Sequence, residues 1–175
     1  MGTAKARQFV DAMLYTNTAG PMTVRMYRRK CSSEECGHVV YSTFSTNGGS
    51  SMYYYGEAEK LLAVSTQTVF TVELLQAFEY EAYYNATTFT GFCAAYNARW
   101  KTWLVEEGRT AWLAHMNEGG GRWLVHKRLA EAYFRWMPYM MIRRMGVVRG
   151  QAHAPCECAL TVRVLRMHLC IPWRA

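Results

Sequence analysis

Cysteine residues near both ends of the chain have the types and spacing of zinc ligands. Cys31 and Cys36 flank a segment of four polar residues, and a glycine follows Cys36. Cys156 and Cys158 form a Cys-x-Cys pair about 120 residues further along the chain. A structural zinc ion takes four cysteine or histidine ligands in a tetrahedron, and two thiolates on a turn supply half of such a set. The sequence therefore predicts that Cys31, Cys36, Cys156 and Cys158 bind one zinc ion.

Three other residues are alternative ligands for this site: His38, His153 and Cys170. If no metal binds, the first pair is simply two thiols on a turn, and three disulfides in a secreted protein would be another use of six cysteines. The chain starts without the apolar segment of a secretory signal, so we favour a reducing compartment. Free thiols there serve mainly as metal ligands or as core residues.

Basic residues are concentrated in two parts of the chain, which has a net charge of +7. One group runs directly into Cys31, and residues 135–175 carry seven arginines against the single Glu157. The arginine guanidinium forms bidentate hydrogen bonds with phosphate oxygens, and its binding releases counterions from nucleic acid. The alternative is a solvated basic surface. The predicted nucleic-acid contacts are Arg25, Arg28, Arg29, Lys30, Arg143 and Arg144.

Tyrosines and carboxylates suggest two other kinds of site, and both are weaker. Residues 53–55 are all tyrosine and could stack unpaired bases, but alternate residues of a strand point to opposite faces, which favours a core role for one face. Glu73, Glu79 and Glu81 form a carboxylate cluster, yet positions 79 and 81 do not face each other on a helix. A general acid–base pair is therefore not supported, and we expect a non-catalytic protein.

Hydrophobic periodicity predicts an α+β fold with a small antiparallel, zinc-ribbon-like sheet packed against three or four helices. A hydrophobic content of 51% indicates a packed core. A period-two pattern predicts a strand over residues 23–30, and β-branched and aromatic content predicts one over 39–44. A turn at 47–49 separates it from an extended segment at 52–55, and 61–65 is a further short strand. Helical patterns begin after the caps Thr71 and Thr88 and recur over 100–116 and 122–145. The helix that begins after Thr88 places Cys93 among its predicted buried residues.

We divide the chain into three parts. Residues 1–20 are predicted to be an N-terminal extension, with a helix as one option, 21–146 a cysteine-cluster α+β domain, and 147–175 a tail that holds the last cysteines. No stretch approaches the roughly 20 apolar residues that a membrane span requires. We therefore expect an intracellular protein that does not bind membranes.

The order of several short motifs resembles the cysteine-cluster domains found beside KDZ transposases in mobile elements. The first cysteine pair departs from the usual Cys-x-x-Cys by two extra residues. The matching segments, in chain order, are Cys31 to Cys36, Tyr41, Met52 to Tyr55, Val64-Ser65, Phe70 to Glu73, Ala94 to Asn97 and Leu129 to Trp136.

This resemblance implies a zinc-binding accessory module of a transposon-derived protein. Such a module would bind nucleic acid, with DNA favoured over RNA, in the nucleus. It would act with a transposase, and the catalytic core of that transposase would not be part of this module. The alternative from a different class is a structural subunit of a large ribonucleoprotein or organellar assembly, in which the Trp, Met and Arg side chains would serve protein contacts.

Overall fold

The computed structural model describes residues 8–30, 38–41, 44–47, 50–53, 60–118 and 122–144. These residues form seven strands and four helices. The strands are β1 (Gln8–Thr16), β2 (Gly20–Lys30), β3 (Val39–Val40), β4 (Phe44–Asn47), β5 (Ser50–Tyr53), β6 (Leu61–Ser65) and β7 (Thr68–Thr71). The helices are α1 (Val72–Asn85), α2 (Phe89–Glu106), α3 (Thr110–Asn117) and α4 (His126–Arg144). The predicted α+β class is confirmed.

The described strands join in one sheet of order β5-β4-β3-β2-β1-β7-β6. Every neighbouring pair is antiparallel except β1 and β7, which run parallel and pair from Met13 with Thr68 to Tyr15 with Phe70. The prediction of a purely antiparallel sheet was therefore wrong. The reason is topological, because β2 occupies one edge of β1 and the β6–β7 hairpin returns to the other edge.

Strand β1 is an interior strand of this sheet, between β2 and β7, in the segment predicted as an N-terminal extension with a helix as one option. Its residues Ala12 to Tyr15 are all buried. Ala12 and Leu14 pack in one cluster, and Met13 and Tyr15 pack in another on the opposite face. A strand buried on both faces reads as a continuous apolar run without period two. The predicted boundary at residue 146 stays a prediction.

Several strands were predicted well. β2 covers the predicted segment 23–30, and β6 has the predicted bounds 61–65. β4 and β5 pair from Phe44 with Tyr53 to Asn47 with Ser50, on either side of the predicted turn. The segment predicted as one strand over 39–44 is instead the short β3 and the start of β4.

Helices α1 and α2 begin at the predicted caps. The Thr71 hydroxyl accepts a hydrogen bond from the Leu74 N–H, and the Thr88 hydroxyl accepts one from the Gly91 N–H. The segment predicted as a helix over 100–116 is divided, because α2 runs on to Glu106 and the chain turns at Gly108, whose φ is +64°. α4 begins at His126 and contains Pro138.

The sheet separates two hydrophobic clusters. On one face, Met13, Tyr15 and Phe70 pack against residues of all four helices, including Leu75, Trp100 and Trp136. On the other face, Leu14, Met26 and Val69 pack with Tyr41. The four described helices therefore pack on one face of the sheet, and this arrangement fixes which side chains of β2 lie beside them.

Candidate functional site

The β2–β3 hairpin brackets the first cysteine pair. Lys30 at the end of β2 pairs with Val39 at the start of β3, and Arg29 pairs with Val40. Paired residues of antiparallel strands lie about 5 Å apart. The two ends of the segment that carries Cys31 and Cys36 are thus held together, although residues 31–37 themselves lie outside the described residues.

Most of the predicted metal ligands lie outside the residues that the structure describes. Cys156, Cys158, Cys170 and His153 fall in the region beyond Arg144 that the structure does not describe. The remaining alternative ligand, His38, is buried and immediately precedes β3. Within the described residues, no group of three or more His, Cys, Asp or Glu side chains is arranged to hold a metal ion. The zinc ligand set therefore stays a prediction.

Cys93 is a core residue, as its position on the helical stripe predicted. Its side chain is buried in the cluster between the sheet and the helices. Burial raises the pKa of the Cys93 thiol to about 11, since the apolar surroundings disfavour the thiolate. At neutral pH it is a protonated, poorly nucleophilic thiol, which is the wrong form for a zinc ligand.

The basic side chains of β2 do not share one face. Arg25 is exposed and lies 3.6 Å from the carboxylate of Asp11, its cross-strand partner in β1. Strand alternation places Arg28 and Lys30 on the opposite face, that of Met26. Arg28 is half-buried, and its Nε has no hydrogen-bond partner within the described part of the chain. Any ligand that contacts both Arg25 and Arg28 must therefore reach around the strand.

The other predicted nucleic-acid contacts are placed only by their backbone. Arg29 lies in β2 opposite Val40, and Arg143 and Arg144 are the last two residues of α4. Their side chains lie outside the description. β2 therefore delivers its basic residues directly to the cysteine segment, while the α4 pair lies at a separate helix end.

Two residues of the Ala94–Asn97 motif connect distant parts of the fold. The Tyr96 hydroxyl donates to the Thr16 carbonyl oxygen over 3.0 Å. The Asn97 amide donates to the Leu124 carbonyl oxygen over 2.8 Å and accepts from the Leu124 N–H over 3.1 Å. Because each partner is far away in sequence, periodicity alone did not reveal these roles.

The β1–β2 turn is fixed to α2 by further contacts. Arg99 donates to the Asn17 carbonyl oxygen over 2.8 Å, and its guanidinium lies 5.0 Å from the centroid of the Trp100 ring. Thr16 accepts from the Ala19 N–H within the turn. The β1–β2 hairpin is therefore fixed to α2 at its turn, at the end of β2 that lies away from the cysteine segment.

The comparisons with known proteins place the chain in a family. The family model described as a CxC5 like cysteine cluster associated with KDZ transposases matches residues 2–99. The chain belongs to this CxC5 cysteine-cluster family. The resemblance that the motifs predicted is confirmed, and the description of the family implies an association with KDZ transposases. No curated protein and no solved structure matches the chain.

The CxC5 match covers the whole described sheet, α1 and the first half of α2. It includes Cys31, Cys36 and Cys93 and ends before α3 and α4. Tyr15 and Asn97, both inside the match, hydrogen-bond to the backbone of Arg122 and Leu124, which lie beyond it. None of the helices among the described residues is long and apolar enough to span a membrane.

Proposed function

We propose that this CxC5 protein is a non-catalytic, zinc-binding module that engages nucleic acid, chiefly DNA, for a transposase. It acts in the nucleus, where a transposase meets its DNA. The observation that carries the proposal is the β2–β3 hairpin, which joins Lys30 to Val39 and so brings basic residues to the base of the cysteine segment. Membership of a transposase-associated cysteine-cluster family supports the same function.

The chemistry of the hairpin suits this function. Two thiolates on a hairpin turn are a common half of a zinc site, and the other half comes in this proposal from Cys156 and Cys158. Zinc bound there would close a long loop and stabilise the fold, because metal affinity is coupled to folding. The exposed Arg25 and Lys30 would then contact phosphates beside a rigid knuckle.

The metal is tested by elemental analysis of the freshly purified full chain. We expect one zinc ion per chain in the native protein and none in the Cys31→Ser/Cys36→Ser variant, because two ligands cannot hold a structural zinc ion. Cys93→Ser is the matched control, since this thiol is buried away from the hairpin, and it should keep the metal. Equal zinc content in the native chain and the double variant would contradict the proposed site.

Nucleic-acid binding is tested by the salt dependence of duplex DNA affinity. The variant Arg25→Gln/Arg28→Gln/Arg29→Gln keeps part of each aliphatic stem but removes three cations. Because Arg25 and Arg28 lie on opposite faces of β2, they do not contact the same run of phosphates, and the slope of log K against log salt should become shallower by about two. The affinity should fall almost equally for unrelated sequences, because phosphate contacts carry no sequence information.

The control for this experiment removes the same charge elsewhere. Lys60, Lys101 and Lys127 are all exposed and lie outside β2, and their triple substitution by glutamine should leave the slope unchanged, because they contact no phosphate. An equal loss in both variants would mean that only net charge matters. Salt-insensitive binding to a protein, with no DNA affinity, would instead favour the structural-subunit alternative.

A further inference from the structure

One side of α1 presents an unusual row of exposed tyrosines. Tyr80, Tyr83 and Tyr84 are 60%, 81% and 66% exposed. Their rings contact one another, with 4.6 Å between the centroids of Tyr80 and Tyr84 and 4.9 Å between those of Tyr83 and Tyr84. Single exposed aromatic residues are ordinary, but a contiguous aromatic patch is typical of an interaction site.

The same side of the helix is acidic. At 100° per residue, Glu73, Gln76, Tyr80, Tyr83 and Tyr84 lie within one sector of α1, and all five are exposed. We call these five residues the tyrosine face. Two more carboxylates, Glu79 and Glu81, flank it, and the sequence of α1 contains no lysine or arginine.

The opposite side of α1 is already used by the core. Leu74, Leu75 and Phe78 are buried, and Phe78 stacks on Phe89 with 4.4 Å between ring centroids. The tyrosine face therefore does not help to hold α1 on the sheet. The contacts among the tyrosine rings stabilise the helix by only about 0.5–1.5 kcal/mol each, and most of the surface of the three rings stays open to another molecule.

The charge of the face selects the kind of partner. Glu73 in the face and the flanking Glu79 and Glu81 repel phosphates, which argues against nucleic acid in spite of the stacking capacity of tyrosine. A second copy packed symmetrically would place one acidic α1 against another, which costs energy for the same reason. A cationic segment is attracted by both features, because arginine pairs with carboxylates and stacks on aromatic rings.

We propose that the tyrosine face binds an arginine-rich segment of a partner protein. The α1 helix of 14 residues is about 21 Å long, which gives room for several side chains of an extended peptide. Tyrosine also suits such a surface since it loses little conformational entropy on binding. The inference goes beyond the proposed function, because neither zinc nor DNA takes part in it.

The test uses the full chain and a short fluorescein-labelled peptide that alternates arginine and alanine. Fluorescence anisotropy should show binding to the native chain and about tenfold weaker binding to Tyr83→Ser/Tyr84→Ser, because two stacking partners are lost. A peptide with lysine in place of arginine should bind the native chain more weakly, since lysine cannot form the planar stack. NMR shifts caused by the arginine peptide should concentrate on residues of α1.

A matched control removes an exposed aromatic residue elsewhere. Phe9 is 59% exposed on β1, far from α1 in the sequence, and Phe9→Ser should leave the peptide affinity unchanged.

Equal affinity of the native chain and the double tyrosine variant would overturn the proposal. Two other results would do the same, namely loss of single-stranded DNA binding in the tyrosine variant, or native self-association that this variant abolishes. Zinc content and the duplex DNA salt slope should be the same in the tyrosine variant, so this test and those of the proposed function fail independently.

Discussion

Gly20 lies at the point where the β1–β2 turn meets helix α2. Its φ is +75°, a backbone conformation that residues with a Cβ rarely adopt. A Cβ at this position would come within 2.6 Å of the Trp100 indole, which is itself buried and in ring contact with Tyr96 and Trp103. The indole cannot move aside without disturbing the core, so both conformation and space require glycine here.

Substitution of Gly20 should therefore be costly. We expect Gly20→Ala to lower the free energy of unfolding by about 3 kcal/mol, since left-handed strain and overpacking each contribute roughly 1–2 kcal/mol. Urea denaturation measures the change. Gly108→Ala is the matched control, because Gly108 has a similar φ of +64° but no atom within 4 Å of the added Cβ. The control should lose only about 1 kcal/mol, and equal losses at the two positions would show that the indole contact is unimportant.

At the scale of elements, α2 connects the sheet, the β1–β2 turn and the segment before α4. Its buried stripe packs on the sheet, and Tyr96 and Asn97 each bond to the backbone of a different segment. Asn97 satisfies both the N–H and the carbonyl of Leu124, so it replaces the pairing that a strand would give this loop. The Tyr-Asn pair of the sequence motif is therefore structural, and its value lies in aligning the start of α4 with the β1–β2 hairpin.

The sequence predicted those elements whose periodicity or caps are local. β2, α1 and the start of α2 were found because the residues of β2 alternate in polarity and because Thr71 and Thr88 cap the helices, whereas β6 was found as a short apolar run. β1 was missed since burial on both faces removes the alternation. β7 was missed because it continues into α1 with only four residues of its own.

The candidate site divides in the same way. The basic strand next to the first cysteines is a local pattern and could be predicted from sequence. The opposite faces of Arg25 and Arg28 follow from strand alternation once the segment is known to be a strand. Convergence of distant cysteines is not a local property, and for Cys31, Cys36, Cys156 and Cys158 it stays a prediction.

At the scale of the whole molecule, three weak acids share the helix-side core. Burial raises the pKa of Tyr15 to about 12 and that of Cys93 to about 11, and it also raises the pKa of Tyr96. All three are buried, and all favour the protonated form in the folded chain. The unfolded chain loses these protons first as the pH rises, because its groups keep their ordinary values of 9.0 for cysteine and 10.0 for tyrosine.

Stability should therefore be full below about pH 9 and should fall as the pH rises through the window from about 9 to 12. In this window the folded chain holds more protons than the unfolded chain, so the free energy of unfolding decreases with pH. Each group contributes at most about 1.4 kcal/mol per pH unit between its unfolded and folded pKa. Urea denaturation over a pH series, in the presence of a reductant, measures this fall.

The variant Tyr96→Phe separates the tyrosine contribution from general alkaline denaturation. It removes the hydrogen bond to Thr16, so at neutral pH it should be less stable than the native chain by about 1 kcal/mol. It also removes one titrating group, so its stability should fall less steeply above pH 10, by about 1.4 kcal/mol per pH unit. The two curves should therefore converge near pH 11, within about a unit. Parallel curves would mean that Tyr96 ionises equally in the folded and unfolded chains, which is incompatible with a buried hydroxyl that bonds to the β1–β2 turn.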